Sequence, residues 1–219
     1  MALDLNMVKA VIFDMDGLLV DSEPYWKKAV IRVFEGLGHQ LNDELYLQTQ
    51  GLRIEDVVDY WAARIDWPEN KSKAEVVEEV LQEMEYLIGN ECELMPGALE
   101  TIDKFKDYPR AIASSSPMRL INAFVDHHNL RDKFKVLRSA EFEPYGKPYP
   151  GVYIHACDDL GVSPLNAMAF EDSFNGVLAA RAAQMQVIAV PEEAQQDRAD
   201  FVIAHGKYKS LNEFLATLD

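Results

Sequence analysis

The chain has 219 residues, 48% of them hydrophobic, which is enough for one globular domain with a sizeable insertion or for two small domains. Its net charge of -16 argues against binding to nucleic acid or to an anionic membrane, because both need basic patches. Met1–Lys9 lacks the features of a signal peptide, and no apolar run approaches the roughly 20 residues that span a bilayer. We therefore expect a cytoplasmic monomer whose two cysteines are reduced.

An apolar run near the start of the chain ends abruptly in acidic residues. Val11-Ile12-Phe13 predicts a buried strand that stops at Asp14, and Asp16 follows. Carboxylates at the end of a buried strand are costly unless something uses their charge. Ligands of open α/β sheets sit at the carboxyl ends of strands, so this spacing indicates a carboxylate site. One carboxylate can act as nucleophile and metal ligand, while the other moves protons.

The segment that follows, residues 21–91, has helical spacing throughout. Ser22 can cap a first helix, and Ser72 with Glu75 has the pattern of a capping box. Apolar residues recur at three- and four-residue spacing over positions 26–37, 54–65 and 76–88. No strand pattern interrupts these helices, so the segment is predicted to form a helical domain of its own.

After Met95-Pro96-Gly97 the pattern alternates between strands and helices. Strands are predicted at Arg110–Ala113, Lys135–Leu137, Asn166–Phe170 and Gln186–Val190, with a further edge strand at Phe201–Ile203. Helices are predicted from Pro117, over 152–160, from Ser173 to Ala183 and over 211–218. This alternation predicts an α/β fold with a Rossmann-like parallel sheet core, residues 1–20 and 92–219, into which the small α-helical domain, residues 21–91, is inserted.

Polar side chains follow these predicted strands and are expected to meet at one edge of a parallel sheet. They are Asp14 and Asp16, then Ser114, Ser115 and Ser116, then Lys147, then Glu171 and Asp172. Clustered carboxylates repel one another unless a cation neutralises them, and oxygen ligands of this kind favour Mg²⁺. The Ser114 hydroxyl, the N–H groups of the turn after it and the Lys147 ammonium suit phosphate oxygens. The set therefore predicts a phosphoryl-transfer site.

These segments resemble the four motifs of the haloacid dehalogenase-like phosphatases, and they occur in that family's order. Phe13–Leu19 is similar to the D-x-D-G motif and Ile112–Ser114 to the second motif. Lys147–Pro150 is similar to the third motif and Glu171–Gly176 to the acidic fourth. The resemblance covers nearly the whole chain. It implies a Mg²⁺-dependent phosphatase that works through an aspartyl-phosphate.

The resemblance also assigns catalytic and metal-binding roles to the acidic residues. Asp14 would be the nucleophile and a Mg²⁺ ligand. Asp16 would be the general acid and base, and would give the metal its backbone carbonyl. Asp172 would ligate Mg²⁺ directly, and Glu171 would do so directly or through water.

The remaining motif residues would bind the phosphorylated substrate. Ser114 and Lys147 would hold the phosphoryl oxygens, and Lys147 would also restrain the nucleophile. Met15, Ser115 and Ser116 are further candidates for contact with the substrate. Ser116 is expected in addition to cap the helix that begins at Pro117.

The helical insertion resembles the small cap of this family, which implies a small-molecule substrate, because such a lid closes over its ligand and excludes water. Glu23 and the cap-loop residues Gly51, Leu52 and Arg53 resemble the positions that contact the substrate. The chain is most similar in these segments to sugar and sugar-alcohol phosphatases of the hexitol phosphatase and 2-deoxyglucose-6-phosphatase type. The expected substrates are therefore hexitol phosphate and 2-deoxyglucose 6-phosphate.

Three other functions stay open. A β-phosphoglucomutase-like sugar phosphomutase would share the core and the aspartyl-phosphate, although known members place a histidine where this chain has Trp26. A non-catalytic sugar-phosphate-binding regulator would keep the fold without turnover, although every catalytic residue type is present. A dehalogenase is disfavoured by Asp16, the second aspartate, which dehalogenases lack.

Overall fold

The computed structural model describes residues 3–46, 48–49 and 54–218. The chain divides into two compact units, one formed by Met1–Asp21 with Glu93–Asp219 and the other by Ser22–Cys92. The first unit is an α/β domain and the second is helical. Among the described residues, no helix is long and apolar enough to cross a membrane.

The described part of the α/β unit contains one parallel sheet. Its strands are β1 (Ala10–Phe13), β2 (Arg110–Ser114), β3 (Val136–Ser139), β4 (Ala167–Glu171), β5 (Gln186–Ala189) and β6 (Gly206–Lys207). They lie in the order β3-β2-β1-β4-β5-β6, and every neighbouring pair is parallel. This is the strand order of a doubly wound Rossmann-type sheet, so the predicted fold class is confirmed.

The helices are divided between the two units. They are α1 (Glu23–Gly36), α2 (Asp43–Tyr46), α3 (Ile54–Ala62), α4 (Lys73–Asn90), α5 (Ala98–Lys104), α6 (Met118–His127), α7 (Gly151–Leu160), α8 (Phe174–Ala182) and α9 (Leu211–Leu215). The first four belong to the helical unit, and the other five belong to the α/β unit.

Strands β1 and β4 are buried along their whole length, as expected for the centre of a parallel sheet covered on both faces. Phe13 of β1 stacks on Phe170 of β4, with 5.1 Å between the ring centroids. In register, Phe13 lies beside Phe170 on one side and Ile112 of β2 on the other. Asp14 and Glu171, the next residues along the two central strands, therefore reach the same edge of the sheet.

The helical unit contains one confirmed cap and one that the sequence predicted wrongly. The Ser72 hydroxyl accepts the Glu75 N–H at 3.2 Å, and the Glu75 carboxylate accepts the Ser72 N–H at 2.7 Å, so the capping box before α4 is confirmed. Ser22 precedes α1, but its side chain makes no capping hydrogen bond. Its backbone is already helical, whereas a capping serine needs an extended conformation.

The edge strand predicted at Phe201–Ile203 is wrong, because these residues lie in a 3-10 helix, Ala199–Ile203. Phe201 is buried against Phe174 of α8, whereas Val202 is 84% exposed. One helical turn buries this single ring, and the edge of the sheet is formed instead by β6. Helix α5, which begins directly after Gly97, was not predicted from the sequence.

Candidate active site

The carboxyl edge of the sheet brings three acidic side chains together. Asp14 follows β1, and Glu171 and Asp172 lie at the end of the neighbouring strand β4. Among the described residues, these three form a group in which one ligand atom from each lies within 4.8 Å of the others. The Asp14 N–H donates to the carbonyl of Phe170 at 3.0 Å. The hydrogen-bonded ladder therefore continues past β1 and holds Asp14 beside Glu171.

Lys147 brings a positive charge to this edge. Its Nζ donates to Asp14 Oδ1 and to Glu171 Oε1, each at 2.6 Å, and to the carbonyl of Ala113 at 3.0 Å. The Lys147 side chain is only 6% exposed, so these ion pairs are weakly screened by water. The prediction that Lys147 lies at a strand end is wrong. It lies in the loop between β3 and α7, and its long side chain reaches the site from there.

The cluster is electrostatically crowded. Burial, followed by the carboxylates of Glu171 and Asp16, raises the pKa of Asp14 from 3.8 to about 8, although Lys147 opposes this rise. Burial, Glu171 and Asp14 raise the pKa of Asp172 well above its usual value. Although burial lowers the pKa of Lys147, the two carboxylates it contacts raise it well above 10.5, so the lysine stays charged. One lysine leaves excess negative charge here, and this oxygen donor set fits a divalent cation.

Gly17 leaves room for the Asp172 side chain. Its φ of +75° lies in the left-handed region, and a Cβ at this position would lie 2.2 Å from Asp172 Oδ2. Glycine is therefore needed both for the turn after β1 and for the close approach of the carboxylate.

Tyr153 is a residue of this cluster that the sequence analysis missed. Its hydroxyl donates to Glu171 Oε1 at 2.6 Å and lies 3.2 Å from Lys147 Nζ, and the side chain is fully buried. Burial raises the pKa of the Tyr153 phenol well above its usual value, so the hydroxyl remains a hydrogen-bond donor. The sequence indicated only an apolar position on α7, since nothing local shows which buried tyrosine faces a carboxylate.

Glu171 is completely buried, and both of its oxygens accept hydrogen bonds. Oε1 accepts from Lys147 and Tyr153, and Oε2 accepts from the N–H and hydroxyl of Ser173 at 3.2 and 3.1 Å. Gly176 of α8 packs directly against this carboxylate, because a Cβ there would lie 1.8 Å from Oε1. Glycine at this position therefore sets where the Glu171 carboxylate lies.

Gly176→Ala is expected to displace the Glu171 carboxylate and to lower the affinity for a divalent cation such as Mg²⁺ about 10- to 100-fold, the usual cost of disturbing a metal site's support. Mg²⁺ titration followed by the rise in melting temperature measures the effect. Gly36→Ala is the matched control, because no atom lies within 4 Å of the added Cβ at that position of α1. Unchanged Mg²⁺ affinity in Gly176→Ala would contradict the role of this contact.

Asp16 is held by two serines, one at the end of β2 and one just after it. The hydroxyls of Ser114 and Ser116 both donate to Asp16 Oδ2, at 3.0 and 2.7 Å. The prediction that Ser116 caps α6 is therefore wrong, because its hydroxyl is bonded to Asp16 instead. The capping position is occupied by Pro117, which has no side-chain donor or acceptor.

Comparison with known proteins matches this geometry to a family. The model of the haloacid dehalogenase-like hydrolase family matches residues 8–184. Hexitol phosphatase B of Escherichia coli strain K12 is 42% identical over 214 residues, and the match covers 96% of each chain. The chain belongs to the haloacid dehalogenase-like hydrolases. The resemblance noted in the sequence is thus confirmed, and the protein is an enzyme.

Two solved structures share the fold of this chain. CbbY from Rhodobacter sphaeroides, a variant in complex with xylulose 1,5-bisphosphate, is 26% identical with a TM-score of 0.82, over 97% of this chain and 99% of that one. A putative β-phosphoglucomutase from Thermotoga maritima is also 26% identical with a TM-score of 0.82, over 96% and 98% of the two chains.

The other predicted substrate residues of this haloacid dehalogenase-like hydrolase lie in varied surroundings. Met15 is fully buried, so its side chain is not available to a ligand, whereas Ser115 is exposed. Glu23, the first residue of α1, accepts a hydrogen bond from the Tyr46 hydroxyl at 2.9 Å. The remaining candidates, Gly51, Leu52 and Arg53, lie outside the described residues.

Proposed function

We propose that the protein is a Mg²⁺-dependent phosphatase of small sugar or sugar-alcohol phosphates. The observation that carries this proposal is the Asp14 carboxylate, which is fixed by Lys147 and shares one edge of the sheet with Glu171 and Asp172. In this proposal Asp14 is the nucleophile, Lys147 the cation, and Glu171 and Asp172 further metal ligands, which are the groups that phosphoryl transfer requires.

In the first step, a carboxylate oxygen of Asp14 forms a bond to phosphorus while the bond from phosphorus to the ester oxygen breaks. Asp16 gives a proton to that oxygen, so the sugar leaves as a neutral alcohol. Lys147 holds Asp14 in place and offsets negative charge on the phosphoryl oxygens.

In the second step, Asp16 takes a proton from water, and the water oxygen attacks the phosphorus of the aspartyl-phosphate. This breaks the bond from phosphorus to Asp14 and releases inorganic phosphate. Both protonation states of Asp16 are therefore used once in each cycle.

Asp14, Asp172 and the backbone carbonyl of Asp16 would hold the Mg²⁺, with Glu171 beside them directly or through water. The fit is supported by the spacing of Asp14, Glu171 and Asp172, whose ligand atoms lie within 4.8 Å of one another, since carboxylates this close are stabilised by a cation between them. When bound, Mg²⁺ supplies Lewis-acid stabilisation of the transferred phosphoryl group.

The choice of substrate class rests on the match to hexitol phosphatase B. In this proposal the helical unit is the cap that closes over the substrate. The sugar or hexitol is contacted, and the specificity set, by Glu23, Gly51, Leu52 and Arg53. The expected substrates remain hexitol phosphate and 2-deoxyglucose 6-phosphate, and the protein is expected to work as a cytoplasmic monomer.

A sugar phosphomutase is the second candidate, favoured by the similarity to a putative β-phosphoglucomutase. It would use the same aspartyl-phosphate but return the phosphoryl group to a second hydroxyl. Appearance of a sugar bisphosphate during turnover would identify it, whereas a phosphatase releases phosphate and the free sugar.

The test is phosphate release from a panel of hexose, deoxyhexose, hexitol and glycerol phosphates and nucleotides, with Mg²⁺ and with chelator. We expect Mg²⁺-dependent release that is fastest with a hexitol or deoxyhexose phosphate. No release from any compound, by a folded protein that binds Mg²⁺, would contradict the phosphatase proposal. Preference for nucleotides would contradict the substrate class alone.

A further inference from the structure

The two carboxylate oxygens of Asp16 have unlike surroundings. Oδ2 accepts hydrogen bonds from the hydroxyls of Ser114 and Ser116. Oδ1 is buried and has no hydrogen-bond partner among the described residues. A buried oxygen without a partner is costly, which indicates that Oδ1 is kept for a group that arrives with the substrate.

Ser116 is itself held on both sides through its backbone. Its N–H donates to Ser114 Oγ at 2.9 Å, and its carbonyl accepts from the hydroxyl of Ser139, at the end of β3, at 2.7 Å. The Ser116 and Ser139 side chains are buried. These two hydrogen bonds hold the backbone of Ser116 and thereby orient its hydroxyl, as is common for groups that position catalytic side chains.

We propose that Ser116 is a positioning residue for the acid–base step rather than a phosphate ligand. It holds Asp16 by Oδ2 and thereby makes Oδ1 the oxygen that gives and takes the proton. The Ser114 and Ser116 hydroxyls both bond Oδ2, which leaves Oδ1 as the carboxylate oxygen without a partner among the described residues. This inference rests on the proposed function, in which Asp16 is the general acid.

The chemistry of the serine hydroxyl supports this assignment. A hydroxyl has one proton to donate, and the Ser116 hydroxyl donates it to Asp16 at 2.7 Å, a shorter contact than the 3.0 Å of the Ser114 hydroxyl. The sequence suggested contact between Ser116 and the substrate, whereas the structure links Ser116 to the reaction through Asp16.

The test compares two leaving groups in Ser116→Ala. A hexitol phosphate needs a proton donor for its alkoxide, whereas p-nitrophenyl phosphate leaves as a stable anion without one. We expect kcat/KM to fall about 10- to 100-fold for the hexitol phosphate, within the range of general acid catalysis, and less than about 3-fold for the aryl ester. Inhibition by inorganic phosphate is expected to stay unchanged, since phosphate binding does not use this hydroxyl.

Two further variants serve as controls. Ser116→Cys keeps the size of the side chain with a weaker donor, and is expected to give an intermediate loss of the same selectivity. Thr101→Val removes another buried hydroxyl of the same unit, bonded to the Gly97 carbonyl at 2.7 Å, and controls for a general loss of stability.

Equal losses for both substrates, or weaker inhibition by phosphate, would overturn the inference and assign Ser116 to phosphate binding. Asp16→Asn separates this failure from that of the proposed function. If Asp16→Asn selectively loses activity on the hexitol phosphate and Ser116→Ala does not, only the positioning role fails. If the wild type releases phosphate from neither substrate, the proposed function fails and the inference fails with it.

Discussion

Asp14→Asn is expected to abolish phosphate release, lowering kcat by roughly 10⁴-fold or more, as removal of a covalent nucleophile commonly does. An amide neither attacks phosphorus effectively nor carries the charge that Lys147 and the metal bind. Steady-state rates with the best substrate of the panel measure this loss. Asp126→Asn is the control, because Asp126 pairs with Arg131 on the exposed surface of α6.

When metal is absent, Asp14→Asn is expected to become more stable relative to the wild type as the pH rises. The folded-state pKa of Asp14 is about 8, against 3.8 for a free aspartate, so the folded protein binds a proton that the unfolded chain releases. The wild type therefore loses stability as the pH rises from about 4 to about 8. The amide of Asp14→Asn cannot ionise, so the variant does not lose this stability. Its stability relative to the wild type therefore increases over this pH range.

Melting temperatures of both proteins in chelator, from pH 5 to pH 8, test this sign. We expect Asp14→Asn to match or exceed the wild type at pH 8 in chelator, and to fall below it when Mg²⁺ is added. A wild type that gains stability with pH relative to Asp14→Asn in chelator would contradict the raised pKa.

Lys147→Met is the second change with a large expected effect. It keeps the length of the side chain but removes the charge shared by Asp14 and Glu171, and breaking a buried ion pair costs about 3–5 kcal/mol. Activity is expected to fall about 10³-fold, because in the proposed mechanism both Asp14 and the phosphoryl group lose their cation. Chemical denaturation in chelator and steady-state kinetics with Mg²⁺ measure the two effects.

The stability loss in Lys147→Met should depend on pH with a definite sign. Without the lysine, the pKa of Asp14 rises further above about 8, so the loss grows as the pH rises through 8, where Asp14 ionises in the folded wild type but not in the folded variant. Lys133→Met is the control, since Lys133 pairs with Asp103 on the surface and should cost less than about 1 kcal/mol at any pH. A loss that does not grow between pH 7 and pH 9 would contradict the electrostatic account.

Much of this edge of the sheet was predictable from sequence because it follows from a simple rule. Val11-Ile12-Phe13 ends at Asp14, and the strand before Glu171 is equally apolar, so both strands leave a buried sheet at a charged residue. Parallel strands have their carboxyl ends at one edge of the sheet. The pairing of Phe13 with Phe170 therefore brings Asp14 and Glu171 together. The alternation of strands and helices was sufficient to predict the sheet itself.

What the sequence did not reveal depends on contacts between distant segments. Tyr153 looks like any apolar position of α7, and only the fold places its hydroxyl on Glu171. Ser116 has the local pattern of a helix cap, and only the fold brings Asp16 within reach of its hydroxyl. The wrong prediction of an edge strand at Phe201–Ile203 has the same cause. The Phe201 ring packs against Phe174, and this contact between distant segments favours the helical turn.

The most direct test of the account is to look for the phosphoryl group on Asp14 during turnover. A rapid acid quench of the enzyme with Mg²⁺ and its best substrate, followed by mass spectrometry, would report it. The account predicts a protein heavier by one phosphoryl group, located on the peptide that carries Asp14, and lost on treatment with hydroxylamine. Turnover with phosphate release in Asp14→Asn, and no phosphorylated protein at any time in the wild type, would contradict it.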